Sequence, residues 1–198
     1  TDRLAQANGM SMLILGLVVF LGVHSTSSFA PAWRNRQAAA LGDMAWKGIY
    51  ALLSLVGFAL ILHGYGQARG APVLLYQPPA ALRHVAWLLM LPVFPLLLAS
   101  YLPGRISAIT RHPMLVATKL WALAHLLANG TLASTVLFGS FLAWAVADRI
   151  SLKHRVARSV PGAPPGRYND AIALTVGLCL YAAFIGAVHL WLIGVSPR

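Results

Sequence analysis

The sequence predicts an all-α polytopic membrane protein, a bundle of about six transmembrane helices with both termini on the outer (periplasmic) side. Three observations carry this. Of 198 residues, 59% are hydrophobic and 10% charged, with a mean hydropathy of +0.72; a soluble domain carries about 25% charged residues. The apolar residues gather into stretches near the ~20-residue length that crosses hydrocarbon. The basic residues fall singly or in short groups between those stretches.

The expected spans cover about residues 10–30, 46–66, 84–103, 113–130, 132–149 and 170–194. Successive spans pack on one another, so residues 1–198 read as one transmembrane helical domain. In the first span, Met12 to Val23 has the length of a signal-peptide core, but His24 and the Ser/Thr run after it are not a usual cleavage context. In the third, Pro92 and Pro95 each remove a backbone donor and are expected to kink the helix. Asn129-Gly130 marks a tight turn between the fourth and fifth spans. Residues 159–168, rich in Pro and Gly, read as an ordered or semi-rigid loop before the sixth.

Orientation follows from the cations. With the end of the first span in the cytoplasm, the inner loops hold ten: Arg34, Arg36, Lys47, Arg105, Arg111, Arg149, Lys153, Arg155, Arg158 and Arg167. The outer side holds four, Arg3, Arg69, Arg83 and Arg198, and Lys119 lies within a span. Ten against four places both termini outside. The net charge of +11 therefore marks a multi-pass protein in a lipid bilayer and implies no nucleic-acid partner. The dense group from Arg149 to Arg167 reads as a headgroup anchor.

The remaining inventory narrows the chemistry. Cys179 is the only cysteine, which excludes an intrachain disulfide and a thiolate-rich metal site. The only carboxylates are Asp2, Asp43, Asp148 and Asp170, all at span ends or in loops, and there is no glutamate. Paired carboxylates for acid–base work, a carboxylate-bridged di-iron centre and a buried acidic relay all lack their materials.

Among the seven histidines, His84 and His154 sit at span ends or in the basic loop. His63 and His189 lie near outer span ends and read as hydrogen-bonded interfacial residues. His24 and His125 lie deeper in apolar runs, where an ionisable side chain is costly and hence a functional candidate. Each ring has two readings, a hydrogen bond to a neighbouring carbonyl or a ligand to a metal, including the axial position of a haem. Around His125, Trp121, Ala122, Ala128 and Asn129 share its face; the small residues would admit a macrocycle and Trp121 would pack on its rim. Around His24, a hydroxyl of Ser27 or Ser28 is placed to receive the second imidazole N–H.

Arg111-His112-Pro113 opens the fourth span, with proline near the first helical position. His112 lies 13 residues before His125, about 20 Å along one helix, so the two cannot share an ion. Arg111 and His112 belong at the cytoplasmic interface, near headgroups or a polar cavity mouth. Lys119 either snorkels or meets a propionate or other anionic ligand inside the bundle.

The string from Arg111 to Gly130 (RHPMLVATKLWALAHLLANG) resembles the signature of the NnrU family of membrane proteins. The run from Leu15 to Ser25 and the Leu137-Phe138-Gly139 segment are similar to the same family, and the resemblance extends from about residue 12 to the end. It implies a protein of the bacterial cytoplasmic (inner) membrane linked to denitrification, in nitrite and nitric oxide metabolism. A plant relative, the zeta-carotene isomerase, is a haem b protein, and its two haem-ligating histidines match His24 and His125. That relative has a cysteine where this chain has Ala122. The resemblance thus implies haem b, with His24 and His125 on the iron; Trp121, Lys119, Arg111 and His112 are further cofactor-binding candidates by their positions in and at the mouth of the fourth span. Two other functions stay open: a haem-dependent cis–trans isomerase of an apolar polyene such as a carotenoid, and a haem-free accessory or assembly subunit of a larger respiratory or photosynthetic membrane complex.

Overall fold

The computed structural model describes residues 2–155 and 161–197, with side chains from residue 6 onward. Arg158, Arg198, residues 159 and 160 of the loop, and the side chains of Asp2 and Arg3 lie outside the described residues. The helices are α1 (Asp2–Phe29), α2 (Pro31–Leu41), α3 (Asp43–Gly70), α4 (Ala81–Met90), α5 (Val93–Ala99), α6 (Arg105–Thr110), α7 (Pro113–Ala128), α8 (Leu132–Ser151), α9 (Asn169–Ala183) and α10 (His189–Ile193). A π-helical turn, Phe184–Val188, joins the last two. No strand occurs among the described residues, where an isolated antiparallel bridge pairs Leu74 with Thr131.

Five segments are long and apolar enough to cross a membrane: Gln6–Phe29, Asp43–Gly70, Ala81–Ala99, Leu132–Ser151 and Asn169–Ile193. These match five of the six expected spans. The other, α7, has 16 residues, about 24 Å of rise against a hydrocarbon core of about 30 Å. Pro113 fixes its start, and Asn129-Gly130 ends it two residues before the expected boundary.

Helix α2 had no counterpart among the expected spans. It exists because Pro31 needs no N–H partner at a helix start. The turn into α3 is made by Gly42 at φ 83°, a backbone conformation that a side chain would oppose.

The chain forms two compact units of interleaved segments, Thr1–Pro78 with Asn129–Ala157, and Pro79–Ala128 with Arg158–Arg198. In the first unit, α1 packs most extensively against α3. Glycines line the seam: a Cβ on Gly16 would lie 2.6 Å from the Ile61 backbone nitrogen, and one on Gly57 2.8 Å from that of Phe20. Small residues that let backbones meet are the usual means of helix association in lipid, where burial of apolar surface adds little. Helix α8 packs on both. Its start is capped by the Thr131 hydroxyl, which accepts the Ser134 N–H at 3.2 Å. The 71–78 segment is pinned beside that start, with Leu75 N–H donating to the Gly130 carbonyl at 2.8 Å and Leu132 N–H to that of Val73 at 2.9 Å.

Near its other end α8 carries a polar lock. The Asp148 carboxylate accepts from Arg155 at 2.6 Å and from the Ser28 hydroxyl. Arg155 also donates to Ser28 at 3.1 Å. This ties the C-terminal end of α1, and hence the stretch carrying His24, to α8. Asp148 sits at a span end as expected, but it is buried.

In the second unit, α5 and α7 share a core of Val93, Leu96 and Ala117. Met90, Val116, Leu120 and Trp121 pack against it. The helix breaks between Met90 and Val93, where Pro92 withholds the N–H that would continue α4. Leu96 N–H then donates to the Pro92 carbonyl at 3.0 Å, restarting the turn. Gly177 of α9 lies against Pro95; a Cβ there would sit 2.5 Å from the Pro95 nitrogen.

The Asp170 carboxylate accepts the N–H groups of Arg105 at 2.8 Å and Ile106 at 3.0 Å, capping α6. The Asn169 amide donates to the Pro103 carbonyl at 2.8 Å and the Pro164 carbonyl at 3.1 Å. Ala163 N–H donates to the Tyr101 carbonyl at 2.8 Å. Together these hold the described part of the Pro/Gly loop in one conformation.

Candidate functional site

Each unit contains one of the two deep histidines. His24 lies on α1, half-buried. Its Nδ1 is 2.7 Å from the Phe20 carbonyl oxygen. A carbonyl only accepts, so Nδ1 carries the proton, and in the neutral ring Nε2 holds the lone pair. The Phe20 ring stacks on the imidazole at 4.2 Å between centroids. The Tyr50 ring lies 5.3 Å away, and Trp144 stands edge-on at 6.2 Å.

Ser27 and Ser28, expected to receive the imidazole N–H, do not. Helical side chains lean toward the N-terminus, which puts the carbonyl four residues back within reach and the hydroxyls ahead out of it. Ser28 serves Asp148 instead. Trp144 is held by its indole N–H, which donates to the Ser25 hydroxyl at 3.2 Å.

His125 lies on α7 and repeats the same local bond. Its Nδ1 donates to the Trp121 carbonyl at 2.8 Å, and the Trp121 ring is 5.4 Å away. Trp121 is therefore a neighbour as expected, although its ring also packs on the α5–α7 core. Ala122, expected to leave room for a macrocycle, is fully buried in helix packing.

The nearest feature the sequence undervalued is His189, whose ring lies 6.4 Å from that of His125 at 27° between planes. His189 Nδ1 donates to the Val195 carbonyl at 2.7 Å. It follows directly on the π-helical turn Phe184–Val188, a departure that helices often show at functional positions. No spacing in the sequence announces such a turn.

The other expected site residues lie elsewhere on the second unit. Arg111 and His112 sit at the start of α7, about 20 Å along that helix from His125, so the structure does not gather them around it. Arg111 is exposed and has φ 59°. The cause is local. Pro113 confines His112 to extended backbone, and the reversal from α6 into α7 falls on Arg111, at about 1–3 kcal/mol of strain. The His112 carbonyl accepts from Leu115 at 3.1 Å and starts the helix. Lys119 is half-buried in mid-α7, about 9 Å along the axis from His125.

His63 and His84 are exposed, as interfacial residues would be. The Gln67 amide donates to His63 at 3.0 Å, and His84 meets the Trp87 ring at 5.0 Å. Among the described residues no group of three or more His, Cys, Asp or Glu side chains comes together as a metal cage. The deep histidines His24 and His125 each stand apart from any such group among the described residues.

No curated protein and no solved structure matches the chain. The family model described as NnrU protein matches residues 12–197. Taken with the helical, membrane-spanning architecture, that match over nearly the whole length shows that the chain belongs to the NnrU family.

Proposed function

We propose that this protein is a membrane-embedded haem b protein whose iron is ligated by the Nε2 atoms of His24 and His125, and that it acts in bacterial nitric oxide or nitrite metabolism. One observation carries the ligand assignment. Both imidazoles donate Nδ1–H to the carbonyl four residues earlier, at 2.7 Å for His24 and 2.8 Å for His125. Metal-ligating histidines almost always donate their other nitrogen in this way, which fixes the tautomer, orients the ring and makes Nε2 more basic.

The same bonds would also satisfy a histidine that binds nothing. Two further points favour a ligand. Both residues lie in apolar helices, where retaining a titratable ring is costly, and the chain has no glutamate, four aspartates at span ends or in loops, and one cysteine, Cys179. Bound haem would supply an iron able to take up nitric oxide or a single electron. The chain's residues hold the imidazoles oriented. Phe20 and Trp144 pack on the His24 ring, and Trp121 lies beside that of His125. The denitrification role rests on membership of the NnrU family.

The test is haem content by the pyridine haemochromogen assay, on protein purified after expression with haem precursor. The parent retains haem b, and His24→Ala and His125→Ala each lose most of it. A parent that takes up no haem even after supplementation overturns the proposal and favours a haem-free accessory subunit.

A further inference from the structure

We infer that the junction of α1, α2 and α3 is a binding site for a phosphate-type anion. A cavity of about 300 Å³ lies there, lined by Ser27, Arg34, Trp46, Lys47 and Tyr50. Two cationic residues and two hydroxyl-bearing ones thus line one volume, and such a set of donors with no carboxylate among them suits an oxyanion. The cavity is built. The Arg34 guanidinium lies over the Trp46 ring at 5.7 Å, and Trp33 braces that ring edge-on at 5.9 Å. Pro31 and the Gly42 turn fold α2 back so that Arg34 faces the start of α3.

Among the described residues neither cation is held in an ion pair; the pair found joins Arg155 to Asp148. Arg34's side-chain partner is the neighbouring Asn35 amide oxygen at 3.4 Å, a long and weak bond. With 15 Lys and Arg against 4 carboxylates, the counter-charge must come from outside the chain. The cation count puts this junction on the cytoplasmic side, where anionic lipid phosphates are concentrated. The phosphate comes from a lipid headgroup or from a soluble phosphate, and the two sources are separable.

Arg36 supplies the control: it is exposed on the same helix and does not line the cavity. The full chain is melted in phosphatidylcholine nanodiscs with and without phosphatidylglycerol, and in detergent with inorganic phosphate or chloride at equal ionic strength. Phosphatidylglycerol is expected to raise the unfolding temperature of the parent and of Arg36→Gln, with the rise reduced in Lys47→Gln and Arg34→Gln. Native mass spectrometry should show phosphatidylglycerol affinity falling about fivefold for each of those two substitutions. A shift produced equally by inorganic phosphate, and reduced in the same two variants, supports the site and identifies a soluble ligand. Lys47 is exposed, so Lys47→Gln keeps its fold and decides the matter if Arg34→Gln does not. An equal response in Lys47→Gln and Arg36→Gln, or no response to either anion in the parent, overturns the inference.

Discussion

Removing the Asp148 carboxylate should loosen the first unit at the end that carries His24. In the structure that group accepts from Arg155 at 2.6 Å and from Ser28, and Ser151 approaches it at 3.4 Å. Breaking one partner of a buried pair costs about 3–5 kcal/mol. The Asp148 and Arg155 side chains keep 11% and 16% of their exposure, so water offsets part of this, and about 3 kcal/mol is the working value for Asp148→Ala. For a chain of this length each kcal/mol moves the midpoint by about 2–4 °C, giving a fall of about 6–12 °C. Tryptophan fluorescence during thermal unfolding in mild detergent reads it, with Trp144 itself near the lock. The double variant Asp148→Leu/Arg155→Leu should recover much of the loss, since neither charge is then left alone. A fall under about 2 °C for Asp148→Ala, or a double variant as unstable as the sum of its singles, would refute the reasoning.

Other substitutions test separate parts of the account. Gly57→Val places a side chain against the Phe20 backbone and should lower the midpoint by several degrees. Gly66→Ala, which meets nothing within 4 Å, should be neutral or stabilising by about 1 kcal/mol; equal effects at the two sites would dismiss the α1–α3 seam. Arg111→Gly should raise the midpoint by relieving the positive φ, by about 1 kcal/mol after the added chain entropy is set against the strain, and a lower midpoint would show that the strain is offset by contacts of the side chain. Tyr181→Phe removes the hydroxyl bonded to the Trp87 carbonyl at 3.0 Å and should cost about 1 kcal/mol in the same melt. His189→Ala should leave a low-spin haem spectrum intact if His24 and His125 are the ligands. Conversion to high spin in that variant would transfer a ligand role to His189.

Much of the architecture was legible because a bilayer imposes length and hydropathy on whole segments. The apolar runs and their basic punctuation located the spans to within a few residues. Helix α2 was not visible, since its composition is that of a surface loop and its existence depends on Pro31 and Gly42 at its two ends. The break at Pro92 was readable from proline chemistry. The fit of Pro95 to Gly177 was not, because that contact joins residues 82 positions apart. At the candidate site, the depth of His24 and His125 followed from their apolar surroundings. The bond partners did not: the expected hydroxyls of Ser27 and Ser28 lie on the right face of α1 but ahead of the ring. Nothing in the sequence set His189 beside His125, since that proximity depends on how α7 and the segment after α9 pack and on a π-helical turn.

The most direct test of the central claim is the reduced absorption spectrum of the purified chain beside those of His24→Ala and His125→Ala. The account predicts the sharp, low-spin bands of a bis-imidazole haem in the parent and a lost or high-spin spectrum in each variant. An unchanged low-spin spectrum in both variants would contradict it.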